Sequence, residues 1–277
     1  MEPYIDDETT VDPLAWTAGA RGLVQRPLDA KVSASAFDIP LIPRAEWPER
    51  IRDMEADKSR LSDIIRAAGF PSKNQNDPKY ANSRSPRWGY CWMYGAVGAL
   101  EAIREVMHQP YVALSAFAAA WTIKHGKDEG GWGALALDFL IERGVPSEAV
   151  WPNFAADGSL DNEATWADAA KHKVTESWVD LTAPVHDRDM TLDQKMTCLL
   201  SRIPVVCDYM WWGHCVYSCD PVDADPSRSL TDPARWGSRD RNSWGDSYGD
   251  RGFFVVKGQR CVPDNAVAPR ATTASVA

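Results

Sequence analysis

The 277-residue sequence predicts an α+β protein with a helical first half and a second half built from β-strands. Apolar residues recur at helical spacing over residues 91–107, and shorter helical patterns cover 114–124 and 134–143. Beyond residue 200 the apolar runs are short and typical of strands. These strand candidates are residues 204–207, 214–218 and 252–257. Helices that precede the strands, rather than alternating with them, indicate an α+β arrangement.

The composition bounds the possible partners. Apolar residues make up 44% of the chain and charged residues 25%, which is typical of a globular protein, and the formal net charge is −9. An acidic chain argues against nucleic-acid or anionic-membrane binding, because both depend on clustered Lys and Arg. No apolar stretch reaches membrane-spanning length, and the acidic first 30 residues lack the basic-then-apolar pattern of a signal peptide.

The run from Asn242 to Phe254 carries the strongest functional signal. It contains an Asn, a Trp two residues later (Trp244), and a glycine-spaced turn that enters an apolar strand. An amide oxygen can hold an imidazole ring in one orientation, and an indole beside it can keep water off that hydrogen bond. A bare Asn is more often a turn residue, so the prediction depends on finding a His and a Cys upstream.

Both residues are present in suitable contexts. Cys91 opens the predicted 91–107 helix within the sequence Trp-Gly-Tyr-Cys-Trp-Met, and His214 precedes an apolar strand in Trp-Trp-Gly-His-Cys-Val-Tyr. His214 and Asn242 follow the Cys by 123 and 151 residues. In these motifs and their spacing the chain resembles the papain-like cysteine peptidases, in which a Cys, a His and an Asn form the catalytic group. The resemblance implies a two-lobe fold, with the nucleophile helix in a helical first lobe and an antiparallel sheet or barrel in the second.

The predicted chemistry assigns one role to each of the three residues. At the start of a helix, free N–H groups and the helix dipole favour the thiolate of Cys91, which would be the nucleophile. His214 would stabilise the thiolate and then protonate the leaving amine. Asn242 would orient His214, and Trp244 would shield that contact. The structural alternatives are a buried apolar Cys and an ordinary His, as the other four histidines are interpreted.

The resemblance also implies substrate-binding residues and exposes one departure. Gly131 would pair its backbone with an extended substrate, and Trp132, Gly133 and Cys215 would lie beside the pocket for the second residue before the cut. The family places a Gln six residues before the nucleophile as an oxyanion-hole donor, and that position is Ser85. Ser85 is therefore the oxyanion candidate here, with Asn82 or Arg87 as substitutes if the loop is rebuilt. Losing one such donor costs about 10²–10³ in rate.

The chain divides into three parts in this interpretation. Residues 1–39 are an extended arm, residues 40–261 form the peptidase domain with insertions at about 48–84 and 220–241, and residues 262–277 are a flexible tail. Within the first insertion, residues 48–69 predict one amphipathic helix that ends at Gly69. Family zymogens carry a helical propeptide before the segment that resembles 42–47, and no such pattern occurs here. We therefore expect no helical propeptide.

The six cysteines leave two alternatives open. Secreted relatives anchor a disulfide three residues before the nucleophile, where this chain has Trp88, so a reducing compartment is expected, although a bridge among the other five remains possible. A zinc site would draw on Cys207, His214, Cys215 and Cys219. Because no Cys-x-x-Cys pair exists and adjacent strand residues point to opposite faces, we expect no metal and no cofactor.

Two functions compete at this point. The first is a cysteine peptidase that cuts a peptide or protein substrate through an acyl-enzyme, in the cytoplasm or on a virion. The second is a catalytically impaired structural or binding subunit of a larger assembly, such as a phage virion or tail, with partners bound through the terminal arms. Ser85, the arms and the insertions favour the second, and the three-residue catalytic pattern favours the first.

Overall fold

A computed structural model describes residues 3–9, 22–27, 37–77, 88–175, 179–180 and 188–273. Seven α-helices and seven strands occur in these ranges. The helices are α1 (Trp47–Ala56), α2 (Leu61–Ala68), α3 (Cys91–Val106), α4 (Ala116–Ile123), α5 (Gly133–Glu142), α6 (Glu163–Ala169) and α7 (Arg188–Leu200). The strands are β1 (Tyr4–Ile5), β2 (Val179–Asp180), β3 (Val205–Tyr209), β4 (His214–Asp223), β5 (Trp236–Arg241), β6 (Phe253–Lys257) and β7 (Asn265–Ala268). No helix among the described residues is both long and apolar enough to cross a membrane.

The strands form one mixed sheet in the order β1-β6-β5-β4-β3-β7-β2. Its pairs are antiparallel except for the edge strand β1, which runs parallel to β6. One apolar cluster surrounds α3 together with α4 and α5, and a second contains residues of α1, α7 and the strands. The α+β prediction, with a helical first part and a sheet in the second, is confirmed.

Helix α3 is the central element, because its small residues let the sheet approach closely. A Cβ added at Gly95 would lie 3.2 Å from the Cys215 sulfur, and one at Gly98 would lie 2.6 Å from a ring carbon of Tyr217. Both partners belong to β4. The start of α3, where Cys91 lies, is therefore held against the start of β4, where His214 lies.

Two predicted segments differ from the structure. The single helix predicted for 48–69 is two helices, α1 and α2, separated by a break at Asp57–Arg60, although Gly69 ends α2 in the left-handed conformation as its position predicts. The flexible tail predicted from Val262 is wrong for the described residues. Strand β7 pairs with β3 inside the sheet, and Val262 and Ala266 are buried.

The predicted insertion 220–241 also contains a central strand. Strand β5 lies between β4 and β6, and its inward side chains Ser238 and Asp240 are polar. They are accommodated because Lys195 donates to Ser238 at 2.8 Å, Ser238 donates to Asp240 at 2.7 Å, and Tyr209 donates to Asp240 at 2.8 Å. A polar network in place of an apolar face explains why hydrophobic patterning does not reveal this strand.

Candidate active site

His214 and Asn242 form a direct hydrogen bond in the protein interior. The distance from His214 Nε2 to Asn242 Oδ1 is 2.8 Å, and both residues are buried. The Ser243 backbone N–H donates to the same Oδ1 at 2.8 Å, which identifies that atom as the amide oxygen. Because an amide oxygen only accepts, Nε2 must carry the proton of this bond. The other ring nitrogen, Nδ1, is the atom left to exchange a proton with a substrate or a thiol.

The position of Asn242 is fixed by its own backbone. Its N–H donates to Gly252 O at 2.8 Å, and its carbonyl accepts from the Ser72 hydroxyl at 2.6 Å. The turn that follows Asn242 therefore fixes its backbone through Gly252. A segment that precedes the nucleophile fixes it from the other side through Ser72. The Asn is anchored on two elements before it meets the His.

Two indoles enclose the His214 ring. Trp244 stacks on it with ring centroids 4.8 Å apart, as the sequence predicts for a shielding residue. Trp212 meets it edge-on at 4.7 Å, a contact that the sequence does not single out. Since an enclosed hydrogen bond is stronger than one that competes with water, both rings favour a fixed imidazole.

Cys91 occupies the first position of α3, beside the strand that carries His214. The backbone carbonyl of Tyr90 accepts from the N–H groups of Met93 and Tyr94, which marks the start of the helix. The Cys215 backbone N–H, one residue after the His, lies within hydrogen-bonding reach of the Cys91 sulfur. The structure therefore brings the three predicted catalytic residues to one place.

The burial of Cys91 nevertheless favours the protonated form of its thiol. Burial raises its pKa to about 12, and the charge of Asp208 acts in the same direction. Hydrogen bonds from the backbone N–H groups of Cys215, Trp92 and Gly22 lower the pKa but do not offset the loss of solvent. The helix start alone predicts a lowered pKa for Cys91. The pKa is raised instead because the sulfur is covered and shielded from solvent.

The Cys91 sulfur is covered in part by residues 22–27 of the same chain, which we call the strap. Gly131 N–H donates to Gly22 O at 2.8 Å, and Val24 N–H donates to Gly131 O at 2.9 Å, so Leu23 forms a parallel bridge with Gly131. Gly22 lies so close to Gly89 that a Cβ at position 22 would overlap the Gly89 carbonyl. The strap thus crosses the start of α3 and uses the backbone that the sequence predicts for substrate pairing.

The predicted pocket residues cluster next to the strap. Gly131 packs against the indole of Trp92, and Gly133 is the first residue of α5. Cys215 is buried in contact with α3, while Trp132 is half-buried at the helix start. The sequence misses Asp208, whose carboxylate accepts from Gly133 N–H at 3.1 and 3.2 Å. Asp208 lies on β3 opposite Cys215, a register that no sequence pattern signals.

The predicted oxyanion residues lie outside the described ranges. This applies to Ser85 and to its substitutes Asn82 and Arg87. The residues that precede them, 72–77, pack on the Asn242 run: Gly245 N–H donates to Lys73 O at 2.9 Å and Gln75 N–H to Ser243 O at 2.8 Å. Part of the predicted 48–84 insertion therefore holds the segment that carries Asn242.

The cysteines are all buried and none is paired in a disulfide. Within the described residues no group of three or more His, Cys, Asp or Glu side chains is placed to hold a metal ion. Two of the four residues of the zinc alternative have other partners: Cys207 lies 3.3 Å from the Ser218 hydroxyl, and His214 is hydrogen-bonded to Asn242.

Comparison with known proteins places this geometry in a known fold. No protein-family model matches the chain. Zingipain-1 of Zingiber officinale is 25% identical over 185 residues, covering 61% of this chain and 78% of that protein. Xylellain, a cysteine protease from Xylella fastidiosa, has a TM-score of 0.59 at 16% identity, covering 91% of this chain and 97% of that one. The digestive procathepsin L2 proteinase of Tenebrio molitor has a TM-score of 0.59 at 17% identity, covering 94% and 81%.

These similarities define the fold as that of the papain-like cysteine proteases. In sequence the chain is similar to one of the matched proteins, zingipain-1, at 25% identity. The resemblance seen in the sequence motifs is therefore confirmed at the level of the fold.

Proposed function

We propose that this protein is a cysteine peptidase in which Cys91 is the nucleophile, His214 the proton-transfer group and Asn242 the residue that orients it. The observation that carries the proposal is the His214–Asn242 hydrogen bond, 2.8 Å long, beside a cysteine at a helix start. The similarity to cysteine proteases favours this function over a structural subunit. Association with a virion, and partners bound through the arms, stay predictions.

The reaction follows from the positions of the exchangeable protons. His214 takes the thiol proton of Cys91 on Nδ1, because Nε2 is committed to Asn242. The thiolate attacks the peptide carbonyl, the C–N bond breaks, and the imidazolium gives its proton to the leaving amine. A water molecule, deprotonated by His214, then hydrolyses the thioester and releases the acid. Asn242 is neutral, so it orients the ring without cancelling the imidazolium charge that stabilises the thiolate.

The oxyanion of the tetrahedral intermediate needs two donors. We propose the Cys91 backbone N–H as one of them and Ser85 as the other, with a rate lowered because the Ser side chain is shorter than the Gln of the family. Exchange of Ser85 for Gln tests this directly, and the same exchange at Ser83, two residues earlier in the sequence, is the control. A rise in kcat at position 85 alone supports a weakened oxyanion hole.

Replacing Asn242 with alanine is expected to lower kcat about fivefold, with the substrate KM little changed. The lost hydrogen bond is worth about 1 kcal/mol, and each 1.4 kcal/mol corresponds to tenfold in rate. Steady-state kinetics would measure it, with Asn153→Ala as the control, since Asn153 accepts from Tyr94 away from His214. Equal losses in the two variants would contradict an orienting role for Asn242.

The proposed function is tested by cleavage of an unstructured peptide library with mass-spectrometric detection of the new termini. The strap must leave the cleft before a substrate enters, so the variant Gly22→Val, which disfavours the strap, is used beside the native chain. We expect new termini with both proteins, and their loss after alkylation of Cys91. Absence of cleavage by a protein whose Cys91 reacts fully with an alkylator would contradict a peptidase.

A further inference from the structure

A second thiol lies beside the proposed nucleophile and has no part in the proposed reaction. Cys215 follows His214 on β4 and is fully buried. Its sulfur lies 4.0 Å from the Trp92 carbonyl oxygen and 3.2 Å from the position that a Cβ at Gly95 would take. Residues four apart in a helix lie on the same face, so the Cys215 sulfur packs on the face of α3 that begins with Cys91.

The backbone of Cys215 also meets Cys91. Its N–H lies within hydrogen-bonding reach of the Cys91 sulfur, and both residues belong to the apolar cluster around α3. Burial raises the pKa of Cys215, and the negative charges of ionised Asp208 and Cys91 act in the same direction. The three ionisable groups are therefore close enough to affect one another.

Asp208 provides a proton acceptor for this second thiol. Asp208 and Cys215 pair directly across β3 and β4, and the Cβ atoms of such a pair lie about 5 Å apart on one face of the sheet. The Asp208 carboxylate is buried and accepts from the Gly133 N–H at 3.1 and 3.2 Å. Burial raises the pKa of Asp208 to about 7, while the Cys215 thiol and the Gly133 N–H lower it. A carboxylate with that pKa can take up a proton at neutral pH.

Packing accounts for only part of this arrangement. A free cysteine is often a small apolar core residue, and an alanine at residue 215 would also fit over Gly95. The Gly133 N–H at the start of α5 could be capped by an uncharged Ser, Thr or Asn, which avoids the cost of a buried carboxylate. A thiol and a proton acceptor side by side, next to a nucleophilic thiol, are the groups that disulfide formation requires.

We propose that Cys215 is a resolving thiol, which forms a disulfide with Cys91 after hydrogen peroxide has oxidised the nucleophile. The Cys91 thiolate attacks one peroxide oxygen, the O–O bond breaks, and Cys91 becomes a sulfenic acid as hydroxide leaves. The Cys215 sulfur then attacks the sulfenic sulfur while Asp208 takes the Cys215 proton. Asp208 passes this proton to the departing hydroxide, so that the S–S bond and one water molecule form. A dithiol restores both cysteines by exchange and is itself oxidised to a disulfide.

The disulfide would stop hydrolysis reversibly and keep Cys91 from oxidation to the sulfinic acid, which thiols do not reverse. The inference rests on the proposed function for its meaning, but the disulfide is detected without any substrate. Failure of the proposed function appears separately, as absent peptide hydrolysis by fully reduced protein with Cys91 intact.

The test is oxidation of the native chain and of Gly22→Val by a small excess of hydrogen peroxide. The remaining thiols are blocked with N-ethylmaleimide, the protein is digested without reductant, and linked peptides are identified by mass spectrometry. We expect a Cys91–Cys215 pair as the main product, formed faster in Gly22→Val because its site is open, and removed by dithiothreitol. Oxidation of Cys91 without this pair, a pair with another cysteine, or no oxidation of Cys91 in either protein would overturn the inference.

Replacing Cys215 with alanine is expected to raise the amount of sulfinic acid on Cys91 several-fold, and Cys215→Ser serves if the alanine variant does not fold. Cys219→Ala is the matched control, because Cys219 is also fully buried on β4, and it should give the native result. Asp208→Asn keeps an acceptor for Gly133 but cannot take the proton, so sulfenic acid trapped by dimedone should increase several-fold. Equal sulfinic acid in the native, Cys215→Ala and Cys219→Ala proteins, or no increase in trapped sulfenic acid in Asp208→Asn, would also overturn the inference.

Discussion

Replacing Cys91 with serine is expected to lower peptide hydrolysis by about 10⁴-fold or more, since removal of the nucleophile of a catalytic group abolishes nearly all of its rate. The serine hydroxyl is close in size to the thiol, so the buried site at the start of α3 should keep its packing. A hydroxyl is a much weaker acid than a thiol, so His214 removes its proton less readily. Initial-rate assays on a cleaved peptide, with circular dichroism to confirm the fold, measure the effect.

Cys198→Ser is the matched control for that variant. Cys198 is also fully buried, but it lies on α7 in the apolar cluster that does not contain Cys91. We expect its activity per folded molecule to equal that of the native chain. Retention of more than a few per cent of the activity by Cys91→Ser, or an equal loss in Cys198→Ser, would contradict the role of Cys91.

Displacing the strap should raise the rate of Cys91 alkylation by about 30-fold. Two backbone hydrogen bonds join the strap to Gly131. At about 1 kcal/mol each, they favour the closed form over the open form by about 30-fold. Gly22→Val is expected to remove the preference for the closed form, because its Cβ would overlap the Gly89 carbonyl. Reaction with iodoacetamide, followed by mass spectrometry of the Cys91 peptide, gives the rate.

The control places the same side chain three residues after Gly22, at a position that makes no contact with Gly89 in the structure described. Gln25→Val adds a valine at an exposed strap position, and we expect it to react at the native rate. If both variants react as slowly as the native protein, the strap does not limit access to Cys91.

The pH dependence of alkylation should change in the same experiment. In the covered site burial raises the pKa of Cys91 to about 12, so the thiolate fraction increases with pH well beyond neutrality. Opening the site restores solvent, and the His214 ring and the helix start then favour the thiolate. The alkylation rate of Gly22→Val is therefore expected to rise at lower pH than that of the native chain.

The helices and the strand that carries His214 could be predicted from sequence because their apolar residues follow simple periods. Strand β5 could not, because Ser238 and Asp240 face inward and are satisfied by Lys195 and Tyr209. Strand β7 is short and rich in alanine, and its position depends on pairing with β3, far away in the chain. Such long-range pairing leaves no local pattern.

The grouping of the three candidate catalytic residues could be predicted for a different reason. Cys91, His214 and Asn242 stand in motifs whose neighbours are also constrained, such as Trp244 over the imidazole. Asp208 and the strap carry no such motif. Their significance arises from cross-strand register with Cys215 and from backbone pairing with Gly131, and both are properties of the folded chain.

The central claim, that Cys91 forms a covalent acyl-enzyme in this site, is tested most directly by trapping that intermediate. Gly22→Val protein is mixed with an activated peptide ester, quenched in acid within milliseconds to seconds, and digested for mass spectrometry. The proposed mechanism predicts up to one acyl group per chain, attached to Cys91, and longer-lived in the Asn242→Ala background. An acyl group on another cysteine, or turnover of the ester without any acylation of Cys91, would contradict it.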